Sequence, residues 1–334
     1  MTGNGDQELT KRHHRVLVLG ATGTMGRATT AALVRNGYDV TCVVRPGFGE
    51  RDPRANLVGA ELVHADIMDT DHLRSAVFGG ASYDAVISCL ASRNGAPEDA
   101  QAIDHHATVG AIEAAKAAGV GHFVLLSAIC VQKPRLAFQH AKLAAEQALV
   151  ASGLTYSIVR PTAYFKSLSG QIARVQRGKP YLLFGDGELT ACTPISDRDL
   201  GEYLVSCLTD PGLRNRILPV GGPGPALTPR SQGEHLFSLL GRTPRFKYVP
   251  VGMMRGIGGV LGAASRVVPS LSAKAEFARI GLYYATESML VLDPETGRYD
   301  RAATPSTGQD TLFDYYAAVI NGETTVERGE HSVF

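Results

Sequence analysis

Gly20-Ala21-Thr22-Gly23-Thr24-Met25-Gly26 is the stretch whose residue types most directly specify a chemistry. Closely spaced glycines between an apolar run and a helix-forming one make a phosphate cradle. One glycine permits the tight turn, one lets the backbone approach a pyrophosphate, and one lets the helix pack on the strand. Backbone N–H groups around Thr22, Thr24 and Met25, at the positive end of the helix, then meet the phosphates. Arg45 ends the next apolar run, in Val44-Arg45-Pro46, where an adenosine ribose is expected. An acid there bonds a 2′-hydroxyl, whereas an arginine accommodates a 2′-phosphate, so NADPH is expected over NADH. Arg27, one residue past the third glycine, carries the same charge. Asp66 is placed to reach the adenine edge with Ile67 packing beside it; the plainer reading of Asp66 is a turn cap. Ser88 opens the run Ser88-Cys89-Leu90-Ala91-Ser92, which is expected to pass the nicotinamide ribose. Further on, Ser127 ends another apolar run and Lys142 lies in the helix that follows, bringing a hydroxyl and an ammonium to the same region.

These side chains need a frame. Short continuous apolar runs at 15–19, 40–44, 61–64, 85–88, 122–126 and 156–159 alternate with helical patterns at 27–36, 71–77, 101–118 and 136–151. That alternation predicts an α/β fold, a Rossmann-type doubly wound parallel sheet covered on both faces, with its ligand crevice at the carboxyl ends of the strands. Residues 1–14 read as a disordered tail, and 15–160 as the dinucleotide-binding core, with sheet contributions from about 190–222. The pattern loosens after Arg160-Pro161. Helices are expected at 166–177, 197–208, 231–240, 253–267, 273–284 and 311–320, and strands at 181–184 and 217–220, the latter able to rejoin the sheet. Residues 161–325 are expected to form mainly a smaller substrate lobe that closes over the cofactor.

Bulk properties narrow the classes. A net charge of +1 over 334 residues gives no reason to expect nucleic acid. The five cysteines are dispersed and odd in number, which suits free thiols in a reducing compartment. With no CxxC or Cys/His cluster, no metal site is expected. The first fifteen residues have no apolar core to make a signal peptide, and 249–268, the most apolar long stretch, is interrupted by Arg255, Arg266 and five glycines. A cytoplasmic protein without a transmembrane segment is expected.

The spacing of Ser127 and Lys142, with the glycine pattern, resembles the short-chain dehydrogenase/reductase superfamily. There a serine, a tyrosine and a lysine act together, the last two as Tyr-x-x-x-Lys. The corresponding segment here is Phe138-Gln139-His140-Ala141-Lys142. Phe138 has no proton to give, which argues against alcohol–ketone exchange, since that needs an acid at oxygen. Reduction of a carbon–carbon double bond, or cofactor binding without catalysis, remains compatible. Longer runs are more specific: Leu125 to Pro134 (LLSAICVQKP), Phe138 to Leu143 (FQHAKL) and Tyr156 to Leu168 (YSIVRPTAYFKSL), then Phe184-Gly185-Asp186-Gly187 and Pro194 to Leu200. Over roughly residues 15–320 they resemble the NADPH-dependent divinyl chlorophyllide 8-vinyl reductases. The resemblance implies reduction of a tetrapyrrole's C8 vinyl group to ethyl in (bacterio)chlorophyll synthesis. The Gly-rich segment Gly252–Gly262 reads as a flexible lid or as a patch grazing photosynthetic membranes, suited to a hydrophobic pigment, with a small-residue helix packed closely on its neighbour as the plainer reading. In the superfamily the lysine binds the nicotinamide ribose, and a proton relay is its alternative role here; Ser127 would contact nicotinamide or substrate. A flat macrocycle needs an apolar slot with a few polar anchors. Phe138, Tyr164, Phe165, Tyr283 and Tyr284 are candidates for its walls, with core packing as the plainer reading of each. Lys133, Arg135 and Lys166 are candidates to meet a propionate. Two other classes stay open: a reductase of another conjugated alkene, similar to isoflavone reductases, and a non-catalytic dinucleotide sensor or assembly subunit of the NmrA kind. Oligomeric state is not legible.

Overall fold

The computed structural model describes residues 14–47, 57–93, 95–265 and 268–326. Apart from His14, the expected N-terminal tail lies outside the described residues.

The chain opens with β1 (Arg15–Leu19), α1 (Thr24–Arg35), β2 (Asp39–Val44) and β3 (Ala60–His64). Next come α2 (Thr70–Leu73), continued by a π-helical turn over Arg74–Phe78, and β4 (Ala85–Ser88). The short α3 (Pro97–Asp99) runs through a π-helical stretch, Ala100–Ala107, into α4 (Thr108–Ala117). β5 (His122–Leu126), α5 (Ala137–Ala151) and β6 (Thr155–Pro161) complete the first half. Thr, Val, Ile and Leu dominate the strands because branched side chains pack well on a pleated surface buried from both sides.

The strands lie side by side in the order β3-β2-β1-β4-β5-β6. All are parallel, with Val16 opposite Val40 on one flank and Leu17 opposite Val86 on the other. The order reverses between β1 and β4, and that switch point is where a crevice opens beyond the strand ends. Successive residues of β1 serve opposite faces. Val16 and Val18 pack with Leu33 of α1 in one core cluster, while Leu17 and Leu19 pack with Ala111 and Phe123 in the other. Each such side chain, removed from water, stabilises the fold by about 1.5–3 kcal/mol.

Beyond β6 come α6 (Phe165–Leu168), α7 (Ile172–Gln176), β7 (Tyr181–Phe184), α8 (Asp197–Thr209) and β8 (Arg216–Val220). β8 rejoins the sheet beside β6, with Val159 opposite Leu218, making seven strands. α8 packs against α1, where Gly201 lets the two backbones touch. The remaining elements are α9 (Pro229–Leu239), β9 (Phe246–Val249), α10 (Val251–Ser265), α11 (Ser272–Thr286), β10 (Val291–Leu292), β11 (Tyr299–Asp300) and α12 (Leu312–Ile320).

The elements after β6 share a separate apolar cluster, centred on Phe165, Tyr181, Leu236 and Tyr316. Three local expectations change. The helix expected over 166–177 is two short helices, because Ser169 turns back to bond the Phe165 carbonyl and the chain breaks there. The helix expected over 71–77 passes into π geometry at Arg74. The strand over 181–184 does not stand alone; it pairs in parallel with β9, an element whose single apolar alternation escaped the sequence reading.

Candidate dinucleotide and active site

The glycine turn joins β1 to α1 at the switch point. Gly20 has φ +73, a region L side chains avoid, and a Cβ there would lie 2.7 Å from the Cys89 carbonyl oxygen. A Cβ on Gly26 would lie 2.1 Å from the Gly20 carbonyl oxygen, so only glycine lets α1 sit down on the turn. Gly23 differs: a Cβ there meets a single atom, at 3.4 Å, so its outer side is open. Gly23 is also the N-cap of α1 and offers no side-chain cap. The first N–H groups of that helix, those of Thr24, Met25 and Gly26, therefore lack intrahelical acceptors and face outward with the helix dipole behind them. Arg27 ties down the turn by donating to the Thr22 carbonyl at 2.7 Å. An open, uncapped cradle of this kind fits a dinucleotide pyrophosphate.

Arg45 is exposed at the carboxyl end of β2, and His64 Nδ1 lies 3.5 Å from its carbonyl oxygen. Asp66 follows β3 and accepts the Met68 N–H at 2.9 Å, a local turn, while Ile67 packs half-buried against the second core cluster. Ser88 ends β4 fully buried, and its hydroxyl has no hydrogen-bond partner among the described residues. It is one of the polar atoms at the crevice left for something else to satisfy.

Two buried ion pairs form the floor beside it. Lys142, from α5, places Nζ 2.9 Å from Oδ1 of Asp104, whose side chain is wholly buried in the π-helical stretch. One turn along α5, Glu146 is gripped side-on by Arg160 of β6, through Nε and Nη2, and accepts the Ser127 hydroxyl at 2.5 Å. Ser127 is thus oriented by Glu146, a partner the sequence reading did not foresee. Asp104 and Glu146 were both missed. The signal was present: Asp104 interrupts the small buried face of Ala100, Ala107 and Ala111, and Glu146 sits between Ala145 and Leu149.

Around this floor, Phe138 is half-buried, its ring edge near Gly95. Tyr164 is half-buried, and burial pushes its phenol above the ordinary range. The Cys89 thiol is pushed up to about 12 by burial, with the Lys142 charge pulling weakly the other way. Phe165 turns away into the apolar cluster of the elements after β6, against Tyr315. Lys166, from α6, donates to Thr24 Oγ1 at 2.7 Å, at the mouth of the cradle. The carboxylate that Lys133 and Arg135 meet is the chain's own Glu287, at 2.7 and 2.9 Å. Tyr283 is buried and donates to the Cys130 and Lys133 carbonyls, whereas its neighbour Tyr284 is partly exposed. Among the described residues no cluster of His, Cys, Asp or Glu could hold a metal ion, and no helix is long and apolar enough to cross a membrane.

A family model described as NAD(P)H-binding matches residues 20–211. The divinyl chlorophyllide a 8-vinyl-reductase of Oryza sativa subsp. indica, named as chloroplastic, is 48% identical over 331 residues, covering 96% of this chain and 82% of that protein. The Arabidopsis thaliana protein of the same name is 48% identical over 329 residues, with 94% and 79% covered. Among solved structures, the binary complex of leucoanthocyanidin reductase with NADPH from Vitis vinifera superposes with a TM-score of 0.66 at 17% identity, covering 92% of this chain and 99% of that one. At that identity it speaks for the fold alone.

Proposed function

The chain belongs to the divinyl chlorophyllide a 8-vinyl-reductase family, and from that premise we propose that it reduces the C8 vinyl group of a divinyl (proto)chlorophyllide to ethyl with NADPH. The observation that carries the reading is the active-site floor. A lysine is fixed at the end of the central sheet, and the position one turn earlier, where an alcohol dehydrogenase of this fold needs a phenol, holds Phe138. A site without an acid at that position suits an acceptor that takes no proton at oxygen; after the hydride, its one proton arrives at carbon from water or a neighbouring side chain. A vinyl group conjugated to a macrocycle is such an acceptor, because the ring spreads the developing negative charge.

Gly20, Gly23 and Gly26, with the N–H groups of Thr24 and Met25, would hold the pyrophosphate. Arg45 would meet the 2′-phosphate, and Asp66, with Ile67 beside it, would meet the adenine. Ser88 and Lys142 would meet the nicotinamide ribose. The bound cofactor supplies a hydride. Lys142 orients it through its remaining N–H donors. Ser127, tied to Glu146, shapes the wall of the site. Phe138 and Tyr164 offer apolar surface to a flat ring, and Tyr164, its phenol pushed up by burial, keeps its proton at neutral pH.

The test is direct. Purified protein, NADPH and divinyl chlorophyllide a should give the Soret shift of the monovinyl pigment. No shift, with NADPH still bound, overturns the reading. NADH serving as well as NADPH would remove the role of Arg45.

The same reading includes a peripheral membrane contact through α10. No residue of that helix is buried, and Met253, Ile257 and Val260, spaced along one face, are 52%, 51% and 71% exposed. From 235 to 275 the sequence carries Arg242, Arg245, Lys247, Arg255, Arg266 and Lys274 and no acid. Apolar side chains amid unopposed positive charge suit an anionic lipid surface. Flotation with phosphatidylglycerol vesicles but not phosphatidylcholine vesicles, abolished by Ile257→Glu, is the expected result; equal flotation with both, or with neither, removes the contact.

A further inference from the structure

Asp104 does more than fill space. Its Oδ1 accepts twice, from Lys142 Nζ at 2.9 Å and from the backbone N–H of Ser92 at 3.3 Å. Its Oδ2 is equally buried and has no hydrogen-bond partner among the described residues. Burying a carboxylate is costly, and the cost is offset only when its attractions and hydrogen bonds are complete. The neighbouring positions on the same face, Ala100, Ala107 and Ala111, show that small apolar residues suffice for packing there. An acid at 104 therefore needs a reason beyond stability. The two groups it holds supply one. Lys142 comes from α5, and Ser92 closes the loop that leaves β4 after Ser88. One carboxylate oxygen thus sets the position of an ammonium and of a main-chain segment that flank the same end of the crevice. Arg45, just past β2, and the N-terminus of α1 lie outside this bracket, while Gly20 abuts the loop at Cys89.

We propose that Asp104 is a positioning residue for the nicotinamide half of the cofactor. It fixes Lys142 and the Ser88–Ser92 loop as one unit, leaving two of the three ammonium N–H donors for the vicinal diol of a ribose. This rests on the NADPH part of the proposed function and not on the pigment, so a failure of vinyl reduction leaves it standing and its own failure leaves vinyl reduction untouched.

The experiment compares two probes by calorimetry: NADPH, and 2′,5′-ADP, which keeps the adenosine and its 2′-phosphate but lacks the nicotinamide ribose. Asp104→Asn keeps the shape and removes the charge. NADPH should bind about tenfold more weakly, as expected for loss of a charge-assisted contact, while 2′,5′-ADP binding stays within about twofold of the parent. Lys142→Met should weaken NADPH alone as well. The double variant should bind NADPH no more weakly than Lys142→Met, because asparagine still accepts the Ser92 N–H and the charge it removes acts through that lysine. Equal losses for both probes would mean general damage and overturn the proposal, as would unchanged NADPH binding in Asp104→Asn. Should Asp104→Asn fail to fold, the double variant, which removes both charges together, still decides: a further loss beyond Lys142→Met overturns the proposal, and an equal affinity supports it.

Discussion

Two glycine-rich segments, 20–26 and 252–262, look alike in the sequence and are opposite in the structure. In the first, Gly20 has a positive φ and Gly26 has a carbonyl oxygen where its Cβ would go. In the second, Gly252, Gly256, Gly258 and Gly259 face nothing within 4 Å on an exposed helix. The first segment is glycine because no other residue fits; the second is glycine where others would fit. The contrast extends to the regions that carry them. The sheet is filled and its turn sterically strict, whereas α10 has no buried residue and is open to change.

Four measurements sharpen or break that contrast. Gly26→Ala should have the largest effect, since it strikes the fold and the cradle together. It should cost about 3 kcal/mol or more in urea unfolding, and NADPH binding should weaken by roughly a hundredfold. Near-parental behaviour would mean that the helix is not seated on the turn. Glu146→Ala leaves Arg160 buried and unpaired and releases Ser127, and should cost about 3–5 kcal/mol.

The third is a pH effect inside the sheet. His122, at the start of β5, is buried against Ser157 and its pKa is lowered by burial to about 4, with Arg214 adding to the shift. The unfolded chain takes up that proton near 6.5, so the unfolded state binds more protons between the two values. Stability should be full above pH 6.5 and fall by on the order of 3 kcal/mol as pH drops toward 4. His122→Asn should flatten that part of the pH–stability curve; an unchanged slope would remove the assignment. The smallest effect has the opposite sign. Gly256→Ala on α10 should stabilise by about 0.5–1 kcal/mol, because alanine costs less conformational entropy in an open helix. A loss there would mean that α10 is as closely packed as the crevice.

The same contrast explains what was legible in the sequence. β1, β2, β4, β5 and β6 were readable because strands buried on both faces are continuous apolar runs. The cradle was readable because its glycines follow such a run and precede a helix. β9 was not, since Phe246-Lys247-Tyr248-Val249 is a half-exposed strand with only one alternation to see. Lys142 was identified from spacing, but its partner was not. Asp104 is 38 residues away in the chain and meets it only because the π-helical stretch and α5 pack side by side. Ser127 was likewise found as a hydroxyl at a strand end, while its bond to Glu146 depends on how α5 lies over β5 and β6. Lys133 and Arg135 looked like free cations because Glu287 is more than 150 residues further on. Charge partners across long separations are set by packing, which one sequence does not display.

The sheet order has a consequence for how the protein is made. β1 lies inside the sheet, yet its second neighbour, β4, leaves the ribosome about seventy residues later, and β8 closes the far side only at residues 216–220. Until then β6 offers an unpaired edge of main-chain donors and acceptors. Parallel neighbours so far apart in the chain also form slowly, since each pairing must first close a long loop. The nascent chain therefore spends the synthesis of the segment between β6 and β8 with an adhesive border exposed. Conditions that slow translation between β6 and β8 lengthen that window, and aggregation during expression should follow its length.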